Sequence, residues 1–332
     1  MLISPNTLSL ITTHQCTAAC DHCCFSCSPK ITKSIPSERM FTLIDEAKHI
    51  SSIKVVVFTG GECFLLREKL DELISHATTN NFVTRCVTNG YWAQSPEIAK
   101  ERVNRLVKSG LKEINFSTGT FHSKYVPTER VIYGACASAE RGIKTLINAE
   151  IFNESDFNIN KLLQNDTINS FIKKGILNIQ RNVWMENGGT NKVSHKQKHS
   201  RFNDSRKSGC PTVLNVIAVT PDQHLVACCG LTLEDIPEMH LGSVATSSIS
   251  ELLKNSPDDF MKLWIHTEGP ERILEFVKKQ LPEYQLPVES VHPCETCRYL
   301  YKDKTAKEVI RKHYLEIQDE VMQKFLIGQG TH

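Results

Sequence analysis

The sequence lacks the features of a membrane or secreted protein. It has no apolar run long enough to span a bilayer, and its N-terminus lacks a basic segment followed by an apolar stretch. It also lacks an excess of either charge, because 39 Lys and Arg residues oppose 37 Asp and Glu residues. This balance excludes the charge pattern typical of proteins that bind nucleic acid or anionic membranes. We therefore expect a cytoplasmic protein that acts on neither.

Cysteine is the residue type that stands out. The chain has 13 cysteines, although thiols stay reduced in the cytosol and stable disulfides are rare there. Most of them fall into three groups, at positions 16–27, 210–229 and 294–297. Grouped cysteines in a reducing compartment favour metal clusters or thiol chemistry over disulfides.

The first half of the chain alternates short β-rich runs with helical patterns. Strands are predicted at 8–12, 54–58, 82–88, 113–117, 144–150 and 176–180, with amphipathic helices between them. Strict alternation predicts parallel βαβ units, and about six fit before residue 185, too few for an eight-fold barrel. We expect an α/β fold, a partial (β/α)6 barrel, with the active site at the carboxyl ends of its strands.

A second unit is expected after the barrel. Residues 186–209 are polar and contain glycine, so we interpret them as a linker or mobile loop between a barrel of residues 1–185 and a unit of residues 210–332. Runs 214–220 and 224–227, separated by Pro-Asp-Gln, predict a β-hairpin at the start of the second unit. Helices are expected at 249–253, 271–280 and 305–326.

The N-terminal cysteines have the spacing CxxxCxxC at Cys16, Cys20 and Cys23. Three thiolates on one short loop can ligate three irons of a [4Fe–4S] cluster and leave the fourth iron open to an amino acid's amine and carboxylate. The same spacing recurs at Cys20, Cys24 and Cys27, but we favour the first register because it lies closer to the strand end. Zinc bound by two cysteine pairs of this loop is the alternative.

This triad, placed just after the first strand, resembles the signature of the radical S-adenosylmethionine (SAM) superfamily. The resemblance implies a SAM-binding [4Fe–4S] cluster and SAM itself as cofactors. Gly60-Gly61-Glu62 follows the second strand and resembles the motif that binds the amino group of SAM, with Glu62 able to accept from an ammonium group.

Two later strand ends extend the resemblance. Asn89, after the third strand, is similar to the family's polar turn at that place. Ser117 ends the fourth strand, where the family commonly uses a Ser and an Asp for the ribose of SAM. Here the acidic position is occupied by Gly119, a departure that puts this ribose contact in doubt. We interpret His122 as part of the loop structure.

The C-terminal cysteines resemble the shortened SPASM, or twitch-type, domain of peptide-modifying radical SAM enzymes. The resemblance implies a second, auxiliary [4Fe–4S] cluster held by Cys210, Cys228, Cys294 and Cys297, with zinc at the same positions as the alternative. The family's hairpin usually carries Pro-Asp-Gly, whereas this one carries Pro-Asp-Gln at residues 221–223. We expect a small C-terminal iron–sulfur domain.

Cys229 remains next to a predicted ligand. Because adjacent side chains of a strand point to opposite faces, Cys228 can face a cluster while Cys229 faces the substrate; a buried packing thiol is the alternative. Cys-Cys-Gly at this place, with the N-terminal cysteine run, resembles the radical SAM peptidyl epimerases that make epipeptides. That resemblance implies a ribosomal precursor peptide as substrate, Cys229 as hydrogen donor and a flavodoxin or ferredoxin as electron donor.

The sequence leaves three points open. A thioether or carbon–carbon cross-linking enzyme and a zinc-stabilised binding protein are the alternatives to an epimerase. Asp222 and Asp156 are candidates for assisting proton transfer. With no peptide-recognition domain expected before the barrel, any leader sequence would be bound by the barrel or the C-terminal segment.

Overall fold

The computed structural model describes residues 4–150, 157–182, 202, 208–255 and 259–329. Its strands are β1 (Thr7–Ile11), β2 (Val55–Thr59), β3 (Val83–Thr88), β4 (Glu113–Gly119), β5 (Lys144–Glu150), β6 (Leu177–Asn182), β7 (Val216–Val219), β8 (His224–Val226) and β9 (His240–Ser243). Its α-helices are α1 (Ser37–Lys48), α2 (Glu68–Thr79), α3 (Pro96–Ser109), α4 (Thr128–Glu140), α5 (Asn160–Leu163), α6 (Asp166–Lys173), α7 (Ile249–Asn255), α8 (Phe260–Glu268), α9 (Pro270–Gln280), α10 (Pro293–Lys302), α11 (Lys304–His313) and α12 (Leu315–Gln329).

These strands form one sheet in the order β6-β5-β4-β3-β2-β1-β7-β8-β9. Strands β1 to β6 are parallel and each pairs with the next along the chain, as βαβ units require. The expected partial (β/α)6 barrel is confirmed. Its loops at the carboxyl ends of the strands therefore lie side by side, where they can build one site.

The predicted C-terminal hairpin continues this sheet. Strand β7 pairs in parallel with β1, with Thr7 opposite Val216, and β8 and β9 follow antiparallel. The turn between β7 and β8 consequently lies at the carboxyl end of β1, where Asp222 forms an ion pair with Lys33. The division of the chain at 186–209 stays a prediction, since most of that segment is outside the described residues.

Two apolar clusters hold these elements in place. The first lies between the barrel strands and their helices and includes Leu10, Phe58 and Phe116, each fully buried. The second packs the C-terminal helices around Trp264 and reaches Ile11 of β1. Ile11 thus lies between the barrel and the C-terminal helices, which fixes the base of the cysteine loop. Among the described helices, none has the length and apolarity to cross a membrane.

Candidate active site

A cavity of about 220 Å³ opens at the carboxyl ends of the barrel strands. Many residues predicted from the sequence line it together: Cys16, Cys20, Cys23, Gly60, Gly61, Asn89, Ser117 and Cys229. They come from the loops after β1, β2 and β3, from β4 itself and from the segment after β8. The sheet order therefore gathers motifs that are dispersed along the sequence.

The cysteine loop is held in a defined shape by hydrogen bonds to its sulfur atoms. Cys16 Sγ accepts from the backbone N of Ala18 at 3.4 Å and from Nδ2 of Asn89 at 3.6 Å. Cys23 Sγ accepts from the backbone N of Cys27 at 3.3 Å. Donors directed at sulfur favour the thiolate, which is the form that binds metal.

Burial acts against ionisation of the same thiols. It raises the pKa of Cys16 to about 11 and that of Cys20 further. The pKa of Cys23 is instead lowered to about 6, chiefly by its hydrogen bond with the Cys27 side chain. Cys16 and Cys20 stay neutral at pH 7 unless a cation offsets the cost of burying two thiolates. A soft-thiolate donor set that needs a cation fits an iron–sulfur cluster, which ordinary buried thiols of the core do not require.

Cys24 and Cys27 line the same cavity. The structure therefore brings both registers of the motif to one place, and the preference for Cys16, Cys20 and Cys23 stays a prediction.

The two glycines after β2 pack directly against the cysteine loop. Gly61 N donates to Thr13 O at 2.6 Å, and Glu62 N donates to Gln15 O at 2.9 Å. A Cβ atom on Gly61 would lie 2.7 Å from the carbonyl carbon of Gln15, well inside van der Waals contact. Only glycine lets this turn approach so closely, which leaves its backbone as part of the cavity wall.

The side chain of Glu62 is held by hydrogen-bond donors of the protein itself. It is fully buried, and its carboxylate accepts from Phe64 N at 3.0 Å, Thr88 Oγ1 at 2.9 Å and Asn89 N at 2.8 Å. All three donors belong to the protein, and the role of Glu62 towards the SAM amino group stays a prediction. Burial raises the pKa of Glu62 to about 7. The carboxylate joins the turns after β2 and β3 and orients Asn89 towards Cys16.

A second polar cluster lies where β4 and β5 end. Side-chain ligand atoms of His22, His122 and Glu150 lie within 4.8 Å of one another. Burial raises the pKa of Glu150 to about 7 and lowers that of His122 to about 4. His122, interpreted from sequence as loop structure, lines the cavity. Sequence reasoning missed Glu150; an acid closing a predicted strand was the signal that could have found it.

The C-terminal cysteines form a separate group, in which Cys228 and Cys297 are buried and Cys210 and Cys294 half-buried. Cys294 lies in the first turn of α10, where His292 Nδ1 accepts from Cys294 N at 3.1 Å. A Cβ atom on Gly230 would lie 3.2 Å from Cys294 Sγ and 3.7 Å from Cys228 Sγ, which places both sulfurs beside that residue. Cys210 and Cys297 are close enough to interact electrostatically with them.

Burial raises the pKa of each of Cys228, Cys294 and Cys297, that of Cys294 to about 12. Four thiols gathered in one largely buried place suit a second metal centre, iron–sulfur or zinc.

Cys229, unlike the four C-terminal cysteines just described, lines the cavity. Its Sγ donates to Ser9 Oγ of β1 at 3.3 Å, and it lines the cavity that Cys16, Cys20 and Cys23 share. Burial raises the pKa of Cys229, so the sulfur carries its hydrogen at neutral pH. Of the two candidate acids, Asp222 forms an ion pair with Lys33 at the hairpin turn and does not line the cavity, and Asp156 lies outside the described residues.

Comparisons with known proteins agree with this geometry. The family model of the radical SAM superfamily matches residues 10–156. The putative peptide biosynthesis protein YydG of Bacillus subtilis (strain 168) is 23% identical over 307 residues, covering 89% of this chain and 92% of that protein. The solved structure of native anSMEcpe with bound AdoMet and Cp18Cys peptide shares the fold, with a TM-score of 0.54 and 15% identity over 96% of this chain and 99% of that one.

The matched residues contain the cysteine triad, the Gly-Gly-Glu turn and the strand ends that form the cavity. SAM and a [4Fe–4S] cluster are the cofactors that such a domain implies. Residues 10–156 form a radical SAM domain.

Proposed function

We propose that this protein is a radical SAM enzyme that converts an L-residue of a ribosomally made peptide into its D-epimer. The observation that carries the proposal is the position of Cys229, a protonated thiol in the wall of the cavity lined by the N-terminal cysteines. A peptide substrate is supported by the similarity over most of the chain to a putative peptide biosynthesis protein. A structure of the same fold with a bound peptide adds to that support.

In this proposal Cys16, Cys20 and Cys23 hold the SAM-binding cluster. Asn89, which donates to Cys16 Sγ, and the backbone of Gly60 and Gly61 complete the pocket. When bound and reduced, SAM and the cluster supply a radical that removes a hydrogen atom from a substrate carbon. The chain's own residues then determine which hydrogen atom the substrate carbon receives.

Cys229 is the residue that returns this hydrogen atom. Its S–H bond breaks and a C–H bond forms at Cα of the substrate, from the face opposite to abstraction, which inverts the configuration. Ser9 Oγ accepts a hydrogen bond from the thiol in the described structure and holds the Cys229 sulfur at the cavity wall. The sulfur is left one hydrogen atom short and needs one electron and one proton before the next turnover.

The second cysteine group would supply the route for that electron. Cys210, Cys228, Cys294 and Cys297 would hold an auxiliary [4Fe–4S] cluster, and Cys228 is covalently adjacent to Cys229. A flavodoxin or ferredoxin is the proposed external source of electrons. This arrangement gives a reason for the two adjacent cysteines facing two different sites.

The experiment that tests the proposal compares Cys229→Ala with Cys136→Ala. Cys136 lies on α4, outside the cavity, and is the matched control. With peptide, SAM and reductant, we expect Cys229→Ala to form 5′-deoxyadenosine but no D-residue, because abstraction persists and the donor is gone. The control should do both. Full epimerisation by Cys229→Ala would contradict the proposed role of the thiol.

A further inference from the structure

Tyr301 presents a buried hydroxyl group without a hydrogen-bond partner. It lies in the last turn of α10 and is 7% exposed. Its Oη is buried and has no partner among the described residues. The hydroxyl group of a buried tyrosine normally finds an acceptor, because a donor left without one costs free energy. A group bound beside Tyr301 would supply the missing acceptor.

The spacing along α10 places this tyrosine over the C-terminal cysteines. Cys294, Cys297 and Tyr301 are three and four residues apart, so all three lie on one face of the helix. Side chains of a helix lean towards its N-terminus, and a residue covers the turn that precedes it. The phenol of Tyr301 therefore covers the turn that carries Cys297.

Tertiary packing brings Tyr301 to a second predicted ligand as well. Tyr301, Cys297 and Cys228 belong to the same buried cluster. Tyr301 is close enough to Cys297 and to Cys228 to interact electrostatically with both. Cys228 belongs to the segment after β8, whereas Cys297 belongs to α10. The tyrosine therefore borders the place where thiolates from both segments would hold a metal centre.

Two carboxylates also lie near Tyr301, and each is engaged elsewhere. Asp259 caps α8 and pairs with Lys262 Nζ at 2.6 Å. Glu238 forms an ion pair with Lys307 at 3.5 Å. Both are close enough to interact electrostatically with the phenol, yet neither accepts a hydrogen bond from it. The sulfur atoms of the cysteine group are then the acceptors that remain.

A tyrosine hydroxyl is suited to an iron–sulfur cluster. It carries its proton at neutral pH and can donate to a sulfide or a thiolate sulfur. Hydrogen bonds to these sulfurs stabilise the more negative, reduced cluster and so raise its reduction potential. Thr296, between the two cysteines of α10, already donates to Glu271 Oε1 at 3.2 Å. Tyr301 still has its donor available.

We propose that the hydroxyl group of Tyr301 donates a hydrogen bond to a sulfur atom of the auxiliary [4Fe–4S] cluster and raises the reduction potential of that cluster. The inference rests on the auxiliary cluster of the proposed function, and it holds whether or not the enzyme epimerises its substrate. It assigns a role to a residue that no sequence motif marks.

The test is a redox titration of the whole chain loaded with both clusters, followed by electron paramagnetic resonance. The signal that SAM leaves unchanged belongs to the auxiliary cluster, because SAM binds the open iron of the other one. Wild type, Tyr301→Phe and Tyr299→Phe are compared, and metal content confirms that each is loaded. Tyr299 is the matched control, since it lies on the same helix and its hydroxyl interacts with Tyr284 and Asp303 instead of the cysteines.

We expect Tyr301→Phe to lower the equilibrium constant for reduction of the auxiliary cluster about tenfold. For a one-electron couple this is a fall of about 59 mV in midpoint potential. Tyr299→Phe should keep the wild-type potential. An unchanged potential in Tyr301→Phe with full iron would overturn the inference alone. Zinc at the four cysteines would overturn it together with the auxiliary cluster, and metal content distinguishes the two failures.

A second variant covers the case in which Tyr301→Phe does not load with iron. Incorporation of 3-fluorotyrosine in place of Tyr301 keeps the phenol and makes its hydroxyl a stronger hydrogen-bond donor. The midpoint potential of the auxiliary cluster should then rise above that of wild type. A potential that does not rise would overturn the inference whatever the phenylalanine variant does.

Discussion

Replacing Gly61 with alanine tests whether the turn after β2 supports the cysteine loop. The new Cβ atom would lie 2.7 Å from the carbonyl carbon of Gln15 and 3.0 Å from that of His14. Both are backbone atoms, which cannot rotate away as the end of a side chain can. The clash is relieved only if the turn after β2 and the cysteine loop move apart.

The cost of that separation follows from the bonds between the two segments. Gly61 N and Glu62 N donate to Thr13 O and Gln15 O, and moving the turn lengthens both hydrogen bonds. Overpacking costs about 1–3 kcal/mol, and each weakened hydrogen bond adds up to about 1 kcal/mol. We therefore expect Gly61→Ala to lose about 2–4 kcal/mol of unfolding free energy. Displacement of Gln15 also moves Cys16, so iron at the N-terminal site should fall.

Anaerobic urea unfolding, with an iron count on the same samples, measures both effects. Gly328→Ala is the control, because nothing lies within 4 Å of a Cβ atom at that helical position. That control should be neutral or gain up to about 1 kcal/mol. If Gly61→Ala unfolds within about 0.5 kcal/mol of wild type and keeps all its iron, the reasoning is refuted.

Three further predictions concern the cysteines and Glu62. Cys23→Ala should abolish SAM cleavage and Cys24→Ala should retain it; the reverse result would establish the second register. Cys294→Ala should cost roughly four irons per chain, since one [4Fe–4S] cluster needs its cysteine ligands, and unchanged iron would exclude the auxiliary cluster. Burial raises the folded-state pKa of Glu62 from 4.5 to about 7, so the folded protein holds this proton more tightly than the unfolded chain. Wild-type stability should therefore fall relative to Glu62→Gln as the pH rises from about 4.5 to about 7, by up to about 3 kcal/mol over that range. Parallel pH profiles of unfolding free energy would contradict this.

Much of the barrel was predictable because its elements are encoded locally. Short runs rich in β-branched residues, such as the one that forms β2, alternate with amphipathic helices, and the predicted strands match β1 to β6 within about two residues at each end. The α-helices α8 and α10 and the strand β9 were not predicted. The pairing of β7 with β1 could not be inferred either, because it joins segments far apart in sequence.

The site residues were predictable where a sequence motif indicates a particular chemistry. The cysteine triad, Gly60, Gly61 and Asn89 all line the cavity as expected, although their ligand roles stay predictions. The contacts of a side chain were not predictable from the motif: the Glu62 carboxylate accepts from three donors of the turns after β2 and β3. Glu150 was missed for a related reason, since only the register of β4 and β5 places it beside Gly119.

The central claim is that a thiol of this chain returns a hydrogen atom to a substrate carbon. Thiol hydrogens exchange with solvent, so the most direct measurement is turnover in D2O with whatever short peptide is encoded beside this gene, followed by mass and chirality analysis of each residue. The account predicts one deuterium at Cα of one residue, with inverted configuration, and no deuterated product from Cys229→Ala. Loss of two hydrogens without deuterium uptake would contradict it and identify a cross-linking enzyme.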